Sequence, residues 1–373
     1  MAALTVVFRA DASLQIGTGH IMRCLSLADA LKARGARCHF MTREHPGNLI
    51  EHLRLRGYDT HVLPCPPTDN GELSPSAPGS GSEAPVHIRW LGTTQQRDAQ
   101  QCEEVLRRLQ PDWVIVDHYA LDSCWEQLLR PFYQQLMVID DLADRPHCCD
   151  LLLDQTFGRE RDDYTPLLPE HCITLCGAQF ALLRPEFAAL RAYSLARRQS
   201  APIENLLVTM GGIDNENATG MVLQALSGLS LPQGCRVTVV MGAKAPWLQS
   251  VRQQAEQSSL EVDVRVGVTD MAALMANADL AIGAAGSTSW ERCCLGVPTV
   301  MIVLADNQRE VAKGLERVGA AKVIHEPKYI ASLLPDMLGT LLSSSEERSA
   351  MSHAAASVAD GSGLSKVIEF LEQ

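Results

Sequence analysis

Residues 6–35 read VVFRADASLQIGTGHIMRCLSLADALKARG. Residues 6–8 are continuously apolar, as a short buried strand is. Arg9 and Asp11 follow, and then a break at Gly17-Thr18-Gly19. Beyond the break Ile21, Leu25, Ala28 and Leu31 recur close to the helical period, and Gly35 stops the pattern. A buried strand that passes through a glycine turn into a helix is the first half of a βα unit. The same alternation is expected onward, with strands at 38–41, 60–63, 113–116, 136–139, 151–153 and 173–175. Helices are expected at 20–34, 45–56, 94–109 and 121–129. Repeated strand–helix alternation implies right-handed crossovers and a mostly parallel sheet.

A polar, basic stretch around 191–200 interrupts the pattern, which then restarts with strands at 206–209, 237–241, 262–266, 280–282 and 299–303. Helices at 333–342 and 346–371 close the chain. The expected fold class is α/β, with two Rossmann-like parallel-sheet domains over 1–192 and 203–373 and a cleft between them. Ligands of such sheets sit beyond the carboxyl ends of the strands. The length of 373 residues suits two cores better than one. Residues 64–85 carry Cys-Pro-Pro, Asn-Gly, Ser-Pro-Ser and Gly-Ser-Gly-Ser with few large apolar side chains, and read as a flexible surface insertion.

The formal net charge of −12 argues against nucleic acid or an anionic membrane surface as a partner. It leaves room for a small anionic ligand, since one glycine-rich helix N-terminus binds phosphate inside an acidic protein. The amino terminus lacks a basic region followed by a long apolar core, and no run approaches a membrane span. The 12 cysteines are scattered without a C-x-x-C pair, which fits reduced thiols in a cytoplasmic protein. His147, Cys148, Cys149, His171, Cys172 and Cys176 admit a metal reading, as does Asp140-Asp141 after a strand. Small side chains packed in or beside the core, and ordinary strand-end polar residues, are the preferred readings, with no metal and no cofactor.

Four stretches have the residue types that chemistry needs. In the first, the glycines at 17 and 19 let the backbone turn tightly, and His20 opens the helix behind them. Histidine titrates near neutrality and suits a general base; the spacing equally allows a helix cap or a phosphate holder. The second is Asp117-His118-Tyr119, at the end of a buried strand. The third is Met210-Gly211-Gly212-Ile213-Asp214, after the first strand of the second domain. The fourth is Gly283-Ala284-Ala285-Gly286-Ser287-Thr288-Ser289-Trp290-Glu291, a strand end, a small-residue turn and the start of a helix. There the hydroxyls and free N–H groups suit phosphate and Glu291 suits a ribose diol, with a plain N-cap and capping-box acid as the alternative.

Taken together, R-A-D-A-S (9–13), G-T-G-H-I-M-R-C-L-S-L-A (17–28), V-D-H-Y-A-L-D (116–122), A-L-L-R-P-E-F (181–187) and G-A-A-G-S-T-S-W-E-R-C-C-L-G-V-P-T (283–299) resemble the pseudaminic acid biosynthesis UDP-sugar hydrolase family. That family releases UDP from UDP-2,4-diacetamido-2,4,6-trideoxy-β-L-altropyranose. The resemblance implies a GT-B-like fold, akin to the glycosyltransferase that builds lipid II. It assigns His20 as the catalytic base, with Tyr119 and Asn307 as further catalytic residues that orient the sugar or the water. It also implies a substrate surface of Arg9, Asp11, Gly17, Gly19, Gly211, Gly212, Gly267, Val268, Ser287, Thr288, Glu291 and Gln308. Gly267 and Val268 would take uracil, Ser287 and Thr288 phosphate, and Glu291 ribose. The expected partner is the UDP-sugar alone, and the expected state a monomer. The expected mechanism is inverting attack by water at the anomeric carbon; a glycosyltransferase and a non-catalytic UDP-sugar binder are the alternatives.

Overall fold

The structure is a computed structural model describing residues 3–65, 87–198 and 202–373. Most of the expected insertion at 64–85 lies outside the described residues. The chain divides into two compact units, Met1–Asp154 with Glu160–Leu175, and Gln155–Arg159 with Cys176–Gln373.

The first unit runs β1 (Thr5–Ala10), α1 (Gly19–Ala33), β2 (Arg37–Arg43), α2 (Ile50–Leu55), β3 (Asp59–Leu63), α3 (Gln95–Leu109), β4 (Trp113–Asp117), α4 (Ser123–Leu129), β5 (Gln135–Ile139), β6 (Leu151–Asp154) and β7 (Ile173–Cys176). Its seven-stranded sheet has the order β3-β2-β1-β4-β5-β6-β7. Phe8 of β1 lies level with Phe40 of β2 and Ile115 of β4 in parallel register. Phe8 and Phe40 are fully buried and stack at 4.9 Å. Burying each such side chain contributes about 1.5–3 kcal/mol. The chain leaves β1 toward β2 and later returns to β4 on the other side, so the topological switch lies between the carboxyl ends of β1 and β4.

Two helices differ from expectation, each for a local reason. The helix expected at 45–56 shortens to Ile50–Leu55. Gly47 takes φ +86° and the Asn48 side chain accepts from the Ile50 N–H, so a turn replaces the first helical turn. The helix expected at 121–129 begins at Ser123, because Asp122 caps it by accepting from the Cys124 N–H at 2.8 Å.

The second unit runs α5 (Pro185–Arg197), β8 (Asn205–Thr209), α6 (Ala218–Ser227), β9 (Arg236–Met241), α7 (Leu248–Glu256), β10 (Glu261–Val266), α8 (Met271–Asn277), β11 (Leu280–Ala284), α9 (Thr288–Cys294), β12 (Thr299–Ile302), α10 (Arg309–Arg317), β13 (Lys322–Ile324), α11 (Ile330–Ser343), α12 (Ser345–Val358) and α13 (Gly363–Leu371). Its six strands are ordered β10-β9-β8-β11-β12-β13, so its switch lies between β8 and β11. The edge strand β13, which the apolar pattern did not suggest, is only three residues long. The single helix expected at 346–371 is two: the first ends at Val358, where Ala359 turns extended, and Gly361, at φ +85°, lies in the link before the second.

The units also part earlier than 192/203. Helix α5 is bound into the second unit by Arg191, which donates to the Ala359 and Ala356 carbonyls at 3.0 and 2.7 Å. Ser194 Oγ donates to the Leu295 carbonyl at 2.7 Å. The basic stretch that suggested a linker is thus partly a packed helix with its arginines capping carbonyls.

Candidate active site

The floor of the first switch point is a buried ion cluster. Arg9, Asp11 and Asp98 are fully buried. Arg9 donates to Asp11 at 2.7 and 3.0 Å and to Asp98 at 3.2 and 2.7 Å. Asp98 also accepts from Arg43 and from Trp125 Nε1. Asp11 accepts from the Arg43 N–H at 2.7 Å. Burial opposes ionising Asp11 and Asp98, but Arg9 together with the other donors around them, His118 and His45 at Asp11 and Arg43 at Asp98, outweighs it, so both carboxyls titrate below their usual range. Arg9 and Asp11, expected to touch substrate, lie beneath the site, with their charges matched internally.

His118 adds to the floor from β4's end. Its Nδ1 accepts from the Ala120 N–H at 3.1 Å, so its proton sits on Nε2, 3.3 Å from Asp11 Oδ2. Burial keeps its pKa low despite Asp11.

Above this floor, the end of β4 presents Asp117 and the start of α1 presents His20. The Nδ1–Oδ1 distance is 2.5 Å. Arg23, one helical turn further along α1, grips the same carboxylate at 2.6 and 2.7 Å. Burial would raise the Asp117 carboxyl; Arg23 and then His20 overcome it and hold it far below the usual carboxylate range. An ionised carboxylate only accepts, so His20 Nδ1 carries a proton and Nε2 is left as the working nitrogen. Nδ1 makes the only hydrogen bond of the ring among the described residues, so Nε2 is unspent there. The capping alternative falls away, since the ring nitrogen that could cap is spent on Asp117.

Tyr119 packs edge-on to His20, with centroids 4.6 Å apart at 83°. Its hydroxyl donates to Asp141 Oδ2 at 2.7 Å, and Arg23 reaches the same oxygen at 2.7 Å. Burial, then Asp141, pushes the Tyr119 pKa well up. Gly17 takes φ +81° and Gly19 opens α1. The helix N-cap, Thr18, makes no side-chain cap bond and the first turn holds no acid, so its N–H groups remain for a ligand. Sequence reading missed Asp98, Arg43 and Trp125, which no local spacing connects to residue 9.

The second switch point is built differently. Gly211 takes φ +88° with open space where a side chain would stand. The Gly212 carbonyl packs so tightly on Gly242 that a Cβ there would lie 2.0 Å away. Asp214 folds back to accept from the Ala218 and Thr219 N–H groups, both at 2.9 Å, and so starts α6. At the end of β11, Ser287 occupies the N-cap position with its hydroxyl exposed and no cap bond made. The capping-box alternative is therefore not realised. Arg292, fully buried, props this turn, donating to the Ala284 carbonyl at 2.6 Å, to Thr288 Oγ1 at 3.1 Å and to Ser289 Oγ at 3.2 Å. Burial lowers its pKa to about 10 and raises the half-exposed Glu291 carboxyl, against the pull of Arg184 and Arg292, to about 7.

Gln308 Oε1 accepts from the Leu304 N–H at 3.0 Å, and its Nε2 lies close over Gly286, 3.9 Å from where a Cβ would stand. Asn307 is exposed on the same short turn of the second unit. Gly267, at φ +65°, and Val268 follow β10. In the His147–Cys176 segment, His147 Nδ1 lies 2.6 Å from Glu126 Oε1, and the Cys149 and Cys172 sulfurs lie 3.6 Å apart. Among the described residues no group of three or more His, Cys, Asp or Glu is placed to hold a metal ion, and no helix is long and apolar enough to cross a membrane.

Residues 205–366 match the glycosyltransferase family 28 C-terminal domain. Over 318 residues the chain is 25% identical to the UDP-2,4-diacetamido-2,4,6-trideoxy-β-L-altropyranose hydrolase of Campylobacter jejuni, covering 85% of this chain and 97% of that protein. It is 23% identical to an uncharacterized protein of Methanocaldococcus jannaschii, covering 80% of this chain but 56% of that one. With the UDP-N-acetylglucosamine–N-acetylmuramyl-(pentapeptide) pyrophosphoryl-undecaprenol N-acetylglucosamine transferase of Gluconobacter oxydans it shares 34% identity over 42% of this chain and 47% of that protein. The chain thus spans about half the length of these last two relatives. Among solved structures, Acinetobacter baumannii MurG aligns with a TM-score of 0.67 at 16% identity over 99% of both chains. The calicheamicin glycosyltransferase CalG4 aligns at 0.61 and 16%, over 100% of this chain and 98% of that one. The fold is that of the GT-B glycosyltransferases, two parallel-sheet α/β domains in one chain.

Proposed function

We propose that the protein is a nucleotide-sugar hydrolase that releases UDP from UDP-2,4-diacetamido-2,4,6-trideoxy-β-L-altropyranose in pseudaminic acid biosynthesis. The observation that carries the chemistry is the 2.5 Å pairing of His20 Nδ1 with Asp117, the only hydrogen bond of that ring among the described residues. His20 Nε2 takes a proton from water. The water oxygen bonds to the anomeric carbon as the bond to the phosphate oxygen breaks, and UDP leaves with the bonding electrons. Asp117 stabilises the imidazolium until its proton passes to solvent. Attack from the face opposite the leaving group inverts the centre. Tyr119 fixes the imidazole ring through its edge.

The second unit takes the UDP half. N–H groups and hydroxyls at Ser287 and Thr288 meet the diphosphate, Gly211 and Gly212 let it approach, Glu291 accepts from the ribose diol and the Gly267-Val268 backbone receives uracil. Asn307 and Gln308 orient the sugar. The substrate assignment is supported by 25% identity across 85% of this chain to a hydrolase with that substrate. The test is incubation with that UDP-sugar alone, with UDP followed by chromatography and the sugar's anomeric configuration by NMR. Free UDP matched by inverted free sugar is expected; intact substrate would overturn the reading. The family 28 match over 205–366 favours a second reading, a transferase whose His20 activates a sugar hydroxyl. Under that reading UDP appears only when an acceptor is added.

A further inference from the structure

Beside the dyad lies an aromatic surface that neither the dyad nor the phosphate turns use. Trp90 stacks on Tyr119 with centroids 5.7 Å apart at 27°. His87 touches both, 4.3 Å from Trp90 and 5.4 Å from Tyr119. Tyr119 in turn meets His20 at 4.6 Å. The rings form one continuous run outward from the working histidine.

Trp90 is unlike the structural tryptophans of the same unit. Trp125 is fully buried and its Nε1 donates to Asp98 at 2.9 Å; Trp113 is 4% exposed. Trp90 is half-exposed, and its Nε1 has no partner among the described residues. A tryptophan that buries one face and leaves its N–H unspent is suited to a ligand with both apolar and polar edges. Its backbone is held firmly. The Trp90 N–H donates to the His87 carbonyl at 2.8 Å, and Leu91 beside it is fully buried. Gly92, at φ +69°, lies so close to His45 that a Cβ would stand 2.8 Å from its ring. Thr94 then caps α3 by accepting from the Arg97 N–H.

We propose that Trp90, backed by His87 and seated on Tyr119, is the wall against which the sugar ring of the substrate lies, and that it selects nucleotide sugars with deoxygenated and N-acylated faces. The proposal rests on the reading of His20 as the group nearest the anomeric carbon. An indole face gains from every methyl or methylene brought against it, because each removes apolar surface from water. A hydroxyl in the same place keeps its water and gains little. A sugar with a methyl at C6 and acetamido groups at C2 and C4 offers such faces, and an acyl carbonyl gives the Trp90 N–H an acceptor. Trp90 is thus a specificity-determining residue, and His87 its support.

The test is calorimetric titration of the full chain in a His20→Asn host, so that substrate survives, with three probes: UDP-2,4-diacetamido-2,4,6-trideoxy-β-L-altropyranose, UDP-N-acetylglucosamine and UDP. Trp90→Ala is expected to weaken the first about tenfold, the second about threefold and UDP less than twofold. Trp90→Phe, which keeps an apolar face, should retain most of the affinity. Saturation-transfer NMR on the host should show the sugar methyl protons receiving magnetisation that the Trp90→Ala protein does not deliver. Equal weakening of all three probes, or of none, overturns the wall. So does absence of methyl transfer in the host, which needs no Trp90 variant to fold. If the unsubstituted chain releases no UDP while the probe differences hold, hydrolysis fails and the wall stands. If UDP is released and Trp90 variants treat the probes alike, the wall fails and hydrolysis stands.

Discussion

At the break between β1 and β4 the strand ends carry Asp11, Asp117 and His118, with His20 and Arg23 opposite them on α1. At the equivalent break between β8 and β11 the ends carry Gly211, Gly212, Ala285, Gly286 and Ser287. The first break is filled with titratable groups, each matched to another, and its acids are held ionised. The second offers backbone N–H groups and small hydroxyls; of its carboxyls, Asp214 is spent on the start of α6 and Glu291 is pushed toward neutrality. One topology thus supports two kinds of work: proton handling needs fixed charges, whereas diphosphate binding needs room and donors.

The largest expected effect follows from removing the proton acceptor. His20→Asn should lower UDP release about 10³-fold while leaving the UDP dissociation constant unchanged, read by chromatography and calorimetry. Near-normal turnover would erase the contrast between the units. Of similar size in free energy is the loss of one ion from the floor. Asp98→Ala leaves Arg9 and Arg43 without a shared partner and should destabilise the first unit by about 3–5 kcal/mol in urea unfolding. Ligand-free unfolding of the second unit should not move.

Glu291 should also respond to pH with the opposite sign to the acids of the first unit. Asp11, Asp98, Asp117 and Asp140 have folded-state pKa values below their unfolded ones, Asp140 at about 2. Their contribution to stability is full above the ordinary carboxylate range and is lost as pH falls through it toward the folded values. Glu291 is raised to about 7, so its contribution is full below the ordinary range and is lost as pH rises toward 7. Glu291→Gln should remove that decline, on the order of 2 kcal/mol. In the unsubstituted protein UDP affinity should rise as pH climbs through about 7, because only the carboxylate accepts both ribose hydroxyls. A flat profile would detach Glu291 from the ribose.

The sheets were legible because their strands are buried on both faces and so read as unbroken apolar runs: 113–116 and 136–139 needed no partner to be recognised. β13 was hidden because three residues carry no period, and the break at Gly361 because apolar spacing continues across it. In the site, His20 and Asp117 were visible as residues after strand or turn, but not as a pair, since 97 positions separate them. Arg9 and Asp11 entered the expected substrate surface through the resemblance; only the three-dimensional placement of Asp98 on α3 shows their charges answered from within. Trp90 had no local signal beyond its chemistry, following a polar insertion as an isolated ring.

The smallest effect separates binding from folding at the second switch point. Ser287 stands at the N-cap position of α9 with an exposed hydroxyl that accepts from no helix N–H. A capping serine replaced by alanine costs about 1 kcal/mol of stability. A serine whose hydroxyl waits for a phosphate oxygen costs nothing until ligand arrives. Ser287→Ala should therefore leave the melting temperature in place and raise the UDP dissociation constant about threefold to fivefold, the worth of one ordinary hydrogen bond. Thr288→Ala should do both, because Thr288 Oγ1 also accepts from buried Arg292 at 3.1 Å and its loss strips that guanidinium of a partner. If Ser287→Ala lowers the melting temperature with UDP affinity intact, the hydroxyl serves the helix, and the diphosphate must be held by backbone N–H groups alone.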